Sequence, residues 1–300
     1  MTDHTNQAVW DTQTASGDSS SSTNQPSHPV IYVGPSKGWT SLKLHELWEY
    51  RELLYFLAWR DIKVRYKQTV IGFAWAILQP ALMTAIFTLF FGILAALPSN
   101  GVPYPLFIFS ALVPWNLFSS GLTRASMSLI SDAALIQKVY YPRLISPAAS
   151  ILSPLLDFLF TFVVLIGLML IYGYPPQLYM LAVIPLLGLL LMFALGIGLW
   201  FAAINVEYRD FNYIVPFLVQ CLFFASPILY PSSFVPERYQ LAYGLLNPMS
   251  GIIEGFRWAT LHTAIPSIPL MTASAAIIFV VLASGILYFR FREKAFADVV

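Results

Sequence analysis

The sequence offers few residue types that could carry out chemistry. Its four histidines are His4, His28, His45 and His262, and its single cysteine is Cys221. Two of the histidines lie in a polar N-terminal tail and the other two lie on opposite membrane sides in the topology derived below, so we expect no metal site. One cysteine can form neither an internal disulfide nor a cysteine-based metal cluster.

Nucleotide and nucleophile motifs are also missing from the sequence. The pattern Gly-x-x-x-x-Gly-Lys-Ser/Thr, whose backbone cradles phosphates, occurs nowhere, and no serine stands in a nucleophile-elbow motif. We therefore expect no catalytic residue in this chain, no resident cofactor and no ATP site of its own.

Three ionisable residues stand inside apolar surroundings. Asp157 falls near the middle of an apolar stretch, where a lone carboxylate costs roughly 2.5–3.5 kcal/mol, so it should face other helices and have a partner. A structural hydrogen-bonding role is favoured over a proton relay, since proton-driven carriers usually have several such groups. Glu254 and Arg257 are three residues apart and can pair on one helical face. This pair is either structural, which we favour, or a gate.

Two short polar loops carry mixed charge and resemble contact surfaces more than catalytic sites. In the first, Asp132 can cap a short helix that Pro142 ends. Leu135, Ile136 and Val139 give this helix an apolar face suited to a groove on a partner. The candidate contact residues of the two loops are Asp132, Leu135, Ile136, Lys138, Tyr140, Pro142, Arg143, Glu207, Arg209 and Asp210. Ordinary connecting loops are the alternative.

The composition requires that these residues be positioned by a membrane-embedded bundle. The 300 residues are 58% hydrophobic and only 10% charged, whereas soluble domains carry about 25% charged residues. Residues 68–123 contain no charged side chain or histidine, and residues 144–206 contain only Asp157. The sequence thus predicts an all-α polytopic membrane protein.

Six stretches are long enough to cross a bilayer, for which about 20 residues are needed. They are residues 69–96, 105–123, 147–172, 178–204, 213–230 and 268–289. Gly196 and Gly198 in the fourth stretch favour close helix packing. With a cytoplasmic N-terminus, fourteen Lys and Arg lie inside and only Arg238 and Arg257 lie outside. The positive-inside rule then places both termini in the cytoplasm.

Further segments are predicted to lie along the membrane rather than across it. Residues 44–60 form an amphipathic interfacial helix, and residues 237–246 and 248–261 form two short re-entrant external helices, the second capped by Asn247. The polar residues 1–36 are predicted to be a disordered tail. The domain organisation is thus residues 1–36 (tail), 37–68 (interfacial helix and basic flank), 69–289 (spans) and 290–300 (cytoplasmic tail). The interfacial residues of interest are Trp48, Tyr55, Trp59, Arg60, Lys63 and Arg65.

The sequence resembles a known family in the order and wording of its loops. The matching motifs are Leu-Ile-x-Lys-Val-Tyr-Tyr-Pro-Arg ending at Arg143, Arg209-Asp210, Ser-Pro-Ile-Leu-Tyr-Pro ending at Pro231, and Leu-Asn-Pro-Met-Ser-Gly-Ile-Ile-Glu-Gly-Phe-Arg ending at Arg257. Together they resemble the polysaccharide-export permeases of the ABC transporter superfamily, of the Wzm and KpsM type, with their teichoic-acid relatives. The resemblance runs from about Leu47 to the C-terminus.

The resemblance implies a homodimer bound to two copies of a separate ATPase, which holds the ATP and magnesium. It implies that residues 132–143 form a coupling helix, with Glu207, Arg209 and Asp210 supporting a second contact. It also implies a lipid-headgroup gate at residues 44–60 and a channel for an undecaprenyl-linked glycan in the bacterial inner membrane. An aromatic lining would give sugar rings a flat surface along which to slide, although most such aromatics pack or face lipid. The candidate lining residues are Phe87, Phe91, Trp115, Phe118, Phe217 and Phe224.

Two other functions remain compatible with the sequence. A permease of the same architecture could move a drug or a simple lipid, and only the joint match of the motifs argues against it. An integral-membrane enzyme of glycan assembly would cluster acidic or basic residues at one face. The predicted external segments hold only Glu237, Arg238, Glu254 and Arg257, which disfavours an enzyme.

Overall fold

All regular structure in the described part of the chain is helical. The structure is a computed structural model, and it describes residues 48–67, 72–208 and 210–293. The predicted tail at 1–36, the start of the predicted interfacial helix, Arg209 and the C-terminal residues 294–300 lie outside the described residues. The α-helices, numbered in chain order, are α1 (Arg51–Lys67), α2 (Gly72–Phe87), α3 (Tyr104–Ser131), α4 (Ala133–Lys138), α5 (Ile145–Leu152), α6 (Leu155–Ile171), α7 (Val183–Glu207), α8 (Phe211–Ala225), α9 (Glu237–Leu246), α10 (Met249–Leu261) and α11 (Ile268–Arg292).

Five helical segments are long and apolar enough to cross a membrane. They are Ala74–Leu94, Tyr104–Ser131, Ile145–Ile171, Leu178–Glu207 and Ile268–Arg292. They correspond to the predicted stretches at 69–96, 105–123, 147–172, 178–204 and 268–289. Three are not uniform α-helices: the first ends in a π-helical segment, Thr88–Leu94, the third is broken between α5 and α6, and the fourth begins with a 3₁₀ helix, Leu178–Ala182.

The remaining predicted span, residues 213–230, is a shorter helix. Helix α8 has fifteen residues and ends at Ala225, directly before the Ser226-Pro227 break. At 1.5 Å per residue it is about 22 Å long, less than the roughly 30 Å of a hydrocarbon core. The structure therefore contains five full-length spans and one short apolar helix in its described part.

Helix α3 is the centre of the bundle. It packs against α5, α6, α7 and α10, and most of its side chains are buried. Pro114 in its interior removes one backbone hydrogen bond, a defect that surrounding helices compensate in membrane proteins. Helices α2 and α8 lie at the periphery, because most of their apolar side chains are exposed.

The close packing predicted for Gly196 and Gly198 is confirmed. A Cβ atom on Gly196 would lie 2.8 Å from the backbone nitrogen of Leu282 on α11, and one on Gly198 would lie 2.7 Å from the Cβ of Ala125 on α3. Gly285 on α11 faces Gly196 so closely that a Cβ there would overlap its carbonyl oxygen. Small residues at these crossings let α7 touch both α3 and α11 along the backbone.

The short helices before the last span have the predicted bounds, except that Asn247 does not cap α10. Its side chain instead donates to the carbonyl of Ala225 (3.0 Å) and contacts Ser226. Pro248 precedes the helix with no side-chain cap. Asn247 thus fastens the α9–α10 connection to the end of α8, because its amide binds residues there instead of the backbone at the start of α10.

Helix α1 continues beyond the predicted end at residue 60, and part of its apolar face packs against the rest of the chain. It continues through the basic run to Lys67. Its buried residues, Leu57 and Ala58, pack on Tyr141, Ile145 and Ala149 rather than facing away from the protein. The face predicted to enter the membrane is therefore used, in part, for contact with the rest of the chain.

Candidate functional site

The loop at residues 132–143, which is predicted to be cytoplasmic and to contact a partner, is held in place by α1. The Asp132 carboxylate makes no capping hydrogen bond, which corrects the sequence prediction; it accepts a hydrogen bond from Arg60 Nη2 at 2.7 Å. Arg60 also donates to Asp61. Burial alone would lower the pKa of Arg60, but its interactions with Asp61 and Asp132 outweigh burial and raise the pKa. The guanidinium is therefore charged and bridges α1 to the loop.

Some side chains of α4 and of the two residues that follow it pack against the protein, and others are exposed. Leu135 and Ile136 are half-buried and pack toward the cluster of Leu57, Tyr141 and Ile145. Lys138, Val139 and Tyr140 are exposed, and Tyr140 keeps 85% of its surface accessible. The helix ends at Lys138, four residues before Pro142, so Pro142 is not what stops it.

The free apolar face of this loop is therefore not the predicted one. We expected Leu135, Ile136 and Val139 to face a partner together, but the first two serve the intramolecular core. The exposed apolar surface consists of Val139 and Tyr140, beside the cation of Lys138. A docking partner would meet these three side chains.

Both loops are tied to the end of the last helix. Arg143 Nη1 donates to the backbone carbonyl of Glu293 at 2.5 Å, and Glu207 forms an ion pair with Arg292 at 3.2 Å. These two residues were predicted as direct contacts of a partner. The structure shows that both make contacts within the chain. Asp210 lies at the start of α8, where its backbone carbonyl accepts from Tyr213 and Ile214.

A charged cluster joins α1 to the start of α6. Asp157 accepts hydrogen bonds from Arg65 and from the hydroxyl of Tyr66. Burial, followed by the bond to Asp157, raises the pKa of Tyr66 to about 12, so its hydroxyl remains a donor. Asp157 therefore has the partners that its position requires; it lies in the first turn of α6, near the middle of the candidate span Ile145–Ile171.

Aromatic and basic side chains of α1 border an apolar groove. The groove has a volume of about 540 Å³ and is lined by Trp59, Ile62, Lys63, Tyr66, Lys67, Leu156 and Phe160. Tyr55 stacks on Trp59 with centroids 6.4 Å apart, and the Lys63 ammonium lies 5.7 Å from the Trp59 ring. Trp48 is exposed at the other end of this face, next to Arg51. The surface combines apolar walls with cations at one rim.

The predicted lining aromatics fall into two groups. Trp115 and Phe118 are buried inside the chain, where the ring of Phe118 stacks on that of Phe193 with centroids 5.1 Å apart. As placed, neither lies on a surface that a channel could touch. By contrast Phe217 and Phe224 are exposed, and Phe87 and Phe91 are half-buried.

Phe223 connects the two groups and was not among the predicted lining residues. Its ring lies 5.7 Å from Phe87, 5.5 Å from Trp115 and 5.3 Å from Phe224. The run of aromatics therefore continues from the exposed face of α8 into the core. Sequence alone could not single out Phe223, because two adjacent phenylalanines on α8 differ only in which way tertiary packing turns them.

The predicted pair Glu254–Arg257 is present and buried. Arg257 Nη1 lies 3.1 Å from Glu254 Oε1, and the guanidinium donates to the carbonyls of Pro227 (2.6 Å) and Ile228 (2.9 Å). Its Cζ lies 3.5 Å from the centroid of the Phe107 ring. Burial lowers the pKa of Arg257 to about 10, which leaves it charged at neutral pH. Arg257 thus fastens the loop after α8 to α3.

These contacts group the loops and helix ends into two sets, one at each end of the bundle. One end holds α1, α4, the α7–α8 connection and the end of α11, joined by Arg60–Asp132, Arg143–Glu293 and Glu207–Arg292. The other end holds the start of α3, the end of α8, and α9 and α10, joined through Arg257 and Asn247. Of the basic side chains predicted to be cytoplasmic, those of α1 and those of Lys138, Arg143, Arg290 and Arg292 lie at the first end.

The chain belongs to a family of membrane transporters. Residues 52–261 match the ABC-2 type transporter family, which accounts for the apolar helices and identifies an integral-membrane permease rather than an enzyme. The chain is 32% identical to the O-antigen export system permease protein RfbA of Klebsiella pneumoniae over 69% of this chain and 79% of that protein. It is 29% identical to the RfbA permease of Myxococcus xanthus over 85% and 98%, and 28% identical to the polysialic acid transport protein KpsM of Escherichia coli over 79% and 92%. The family resemblance seen in the loop motifs is confirmed.

Proposed function

We propose that this chain is the permease subunit of an ATP-driven exporter that moves a lipid-linked polysaccharide across the bacterial cytoplasmic membrane. The observation that carries the proposal is the match to glycan-export permeases over most of their length, from 79% for the Klebsiella pneumoniae relative to 98% for the Myxococcus xanthus relative. Two chains of this kind and two copies of a separate ATPase make up the transporter. The ATPase binds ATP and magnesium, and this chain contributes no cofactor of its own.

The proposed topology has six crossings with both termini in the cytoplasm. Helix α8 begins beside Glu207 at the end that holds α1 and α4, and it ends at Ala225, whose carbonyl is bound by Asn247 at the opposite end. It therefore connects the two ends despite its fifteen residues, and residues 226–230 continue the path beyond its last residue. The fourteen-to-two distribution of Lys and Arg supports a cytoplasmic position for the end that holds α1.

In this orientation, the exposed side of α4 is the ATPase-docking surface. Lys138, Val139 and Tyr140 offer an apolar patch with one cation, a combination that suits a groove on a partner. Arg143 and Glu207 act differently from direct contacts. They connect the two loops to the end of α11, so that a push on either loop reaches the last helix.

The α1 groove is proposed to be the lipid entrance. Its apolar walls suit an acyl or isoprenoid chain, and Lys63 and Lys67 at the rim suit an anionic headgroup. Trp48, Tyr55 and Trp59 place amphipathic rings at the level where the headgroups lie. Because Arg60 of the same helix is bound to Asp132, the entrance and the docking loop are mechanically joined.

The exposed apolar faces of α2 and α8 are proposed to meet a second copy around the glycan path. Phe91, Phe217 and Phe224 on or beside these faces would form an aromatic lining, and Phe223 would anchor it to the core. A smooth aromatic wall contacts the apolar faces of sugar rings without the deep polar sites that would trap them.

The decisive experiment is depletion of this chain followed by localisation of the glycan. We expect finished, lipid-anchored polymer to accumulate inside the cell and to disappear from the surface. Restoration by the wild-type gene is the control for secondary effects. Unchanged surface glycan would leave the transporter family intact and refute polysaccharide as its cargo; a drug or simple lipid would then be the class to examine.

A further inference from the structure

A polar cavity lies at the end of the bundle opposite to α1. It has a volume of about 550 Å³, within the range of about 300–1,000 Å³ that is usual for small-molecule sites. Its walls come from five separate places in the chain: the α2–α3 connection, the 3₁₀ helix Ser232–Phe234 after α8, helix α9, helix α10, and the residues from Thr263 to the start of α11. We refer to it as the external cavity.

The lining has the hydrogen-bonding groups that recognise hydroxyl-rich molecules. It includes the amides of Asn100 and Gln240, the carboxylates of Glu237 and Glu254, and several hydroxyl groups. Amides both donate and accept, and carboxylates form short, strong bonds with O–H donors. Ile265, together with two prolines of the same wall, adds apolar surface suited to the C–H face of a sugar ring.

The charges around the cavity favour a neutral ligand over an anionic one. None of the described residues lining the cavity is Lys, Arg or His. Glu254 is held by Arg257 at 3.1 Å and by the backbone N–H of Ser232 at 3.0 Å, so this buried carboxylate is fixed and its charge is compensated. Glu237, the second carboxylate of the lining, is exposed. A phosphate or an acidic sugar would meet a carboxylate without a cation in the lining to offset it.

The same groups do not form a cation site. The described residues contain no group of three or more His, Cys, Asp or Glu placed to hold a metal ion. Calcium takes six to eight oxygen ligands, usually with several carboxylates. Glu237 and Glu254 supply two carboxylates, and one of these is already bound by an arginine.

One wall of the cavity carries hydroxyls that could form hydrogen bonds with a ligand. The residues between α10 and α11 begin with His262 in the left-handed region (φ 55°). Two hydroxyls of this wall, Thr263 Oγ1 and Ser267 Oγ, have no hydrogen-bond partner among the described residues. The wall can therefore turn them toward a ligand without breaking a hydrogen bond within the described protein.

We propose that the external cavity is a binding subsite for one neutral sugar unit of the glycan as it leaves the permease. This inference rests on the function and orientation proposed above. An emerging chain that is held at this point cannot slip back while the ATPase resets. Weak binding is what such a role requires, because each sugar must also be released.

The test is saturation-transfer NMR on the complete transporter, this chain with its ATPase, in lipid nanodiscs. The probes are the methyl glycosides of glucose, galactose and mannose, N-acetylglucosamine, and sialic acid as an anionic comparison. We expect saturation transfer to at least one neutral sugar and none to sialic acid. Transfer to no neutral sugar, or stronger transfer to sialic acid, would overturn the proposal.

Variants show whether the signal comes from this cavity. Glu237→Gln and Gln240→Ala on α9 should each lower the saturation transfer at least threefold. Arg238→Gln is the matched control, because Arg238 is exposed on the same helix and does not line the cavity. Thr263→Ala on the opposite wall gives a second measurement if an α9 variant fails to assemble with the ATPase. Equal signals from the cavity variants and the control would refute the assignment.

The failure of this inference can be separated from failure of the proposed function. If depletion of the chain blocks glycan export but no neutral sugar binds, only the external cavity is excluded. If depletion leaves surface glycan unchanged, the proposed function fails, whatever the NMR shows. In cells that do export glycan, Glu237→Gln combined with Gln240→Ala should lower surface polymer at least threefold while Arg238→Gln does not.

Discussion

The ion pair between Arg60 and Asp132 is the most direct link between the lipid entrance and the ATPase-docking loop. We expect that Arg60→Ala separates them: the ATPase still docks, but its movement no longer reaches α1. The positions of the residues support this expectation. Arg60 lies on the side of α1 that faces the loop, where it binds Asp132, whereas Lys138, Val139 and Tyr140 are exposed. The predicted defect is therefore in transport and not in assembly.

The size of the effect follows from the burial of the two partners. The side chain of Asp132 is 7% exposed and that of Arg60 is 35% exposed. An ion pair exposed at both ends contributes about 0.2–1 kcal/mol, and removing one partner of a fully buried pair costs about 3–5 kcal/mol. Since only one partner here is buried, we expect an interaction energy of about 1–2 kcal/mol. This corresponds to roughly a tenfold loss of transport, at 1.4 kcal/mol per factor of ten.

The assay is a double-mutant cycle on glycan export. Arg60→Ala, Asp132→Ala and the double variant are compared for surface polymer per molecule of transporter, with ATPase co-purification measured in parallel. Arg51→Ala is the matched control, because Arg51 lies on the same helix, is exposed, and among the described residues contacts only the nearby Trp48. The double variant should export about as poorly as either single variant, since the interaction can be lost only once.

Three results would contradict this reasoning. Wild-type export by both single variants would mean that the pair carries no coupling. Additive defects in the double variant would mean that Arg60 and Asp132 act separately, for example through Asp61, which also binds Arg60. Loss of the ATPase from the Arg60→Ala complex would show instead that the pair maintains the shape of the docking loop.

Three further predictions follow from the same structure. Lys138→Glu should lower ATPase co-purification several-fold with membrane insertion intact, because it reverses the one cation of the exposed α4 surface; normal co-purification would contradict the docking surface. Gly285→Leu should destabilise the protein by about 1–3 kcal/mol, since any Cβ overlaps Gly196; thermal unfolding in detergent measures this, and an unchanged midpoint would refute the packing. In a variant lacking Cys221, a cysteine replacing Ser99 should react with an impermeant maleimide from outside, whereas one replacing Lys138 should not; the reverse labelling would invert the proposed topology.

The position of the spans was predictable because it depends on local composition. Apolar runs bounded by Pro, Gly and charged residues mark helix ends in any context, and the bounds of α9 and α11 followed from such signals. The difference between the predicted span at 213–230 and the shorter helix α8 is also local in origin. Its apolar run continues past Ala225, but Ser226 takes an extended conformation before Pro227, and hydropathy does not register that break.

The partners of charged groups were less predictable, because they lie far apart in sequence. Asp132 was interpreted as a helix cap, the usual role of an aspartate before a short helix, yet it binds Arg60, 72 residues away. Arg143 was interpreted as a partner contact, and the structure adds a hydrogen bond from it to the carbonyl of Glu293, 150 residues away. Neither long-range contact could be inferred from the neighbouring sequence.

The sequence by itself determined that this chain is a helical membrane protein, which segments are apolar enough to span, and which family its loops resemble. These properties follow from composition and from short motifs, since the bilayer imposes the same requirement on every spanning segment. Only the tertiary structure decided which side chains at the end of α4 are free, which aromatics lie in the core, and that five segments at the end of the bundle opposite to α1 line a polar cavity. Those features depend on how helices distant in sequence turn toward one another, and that rotation is fixed by packing across the whole bundle.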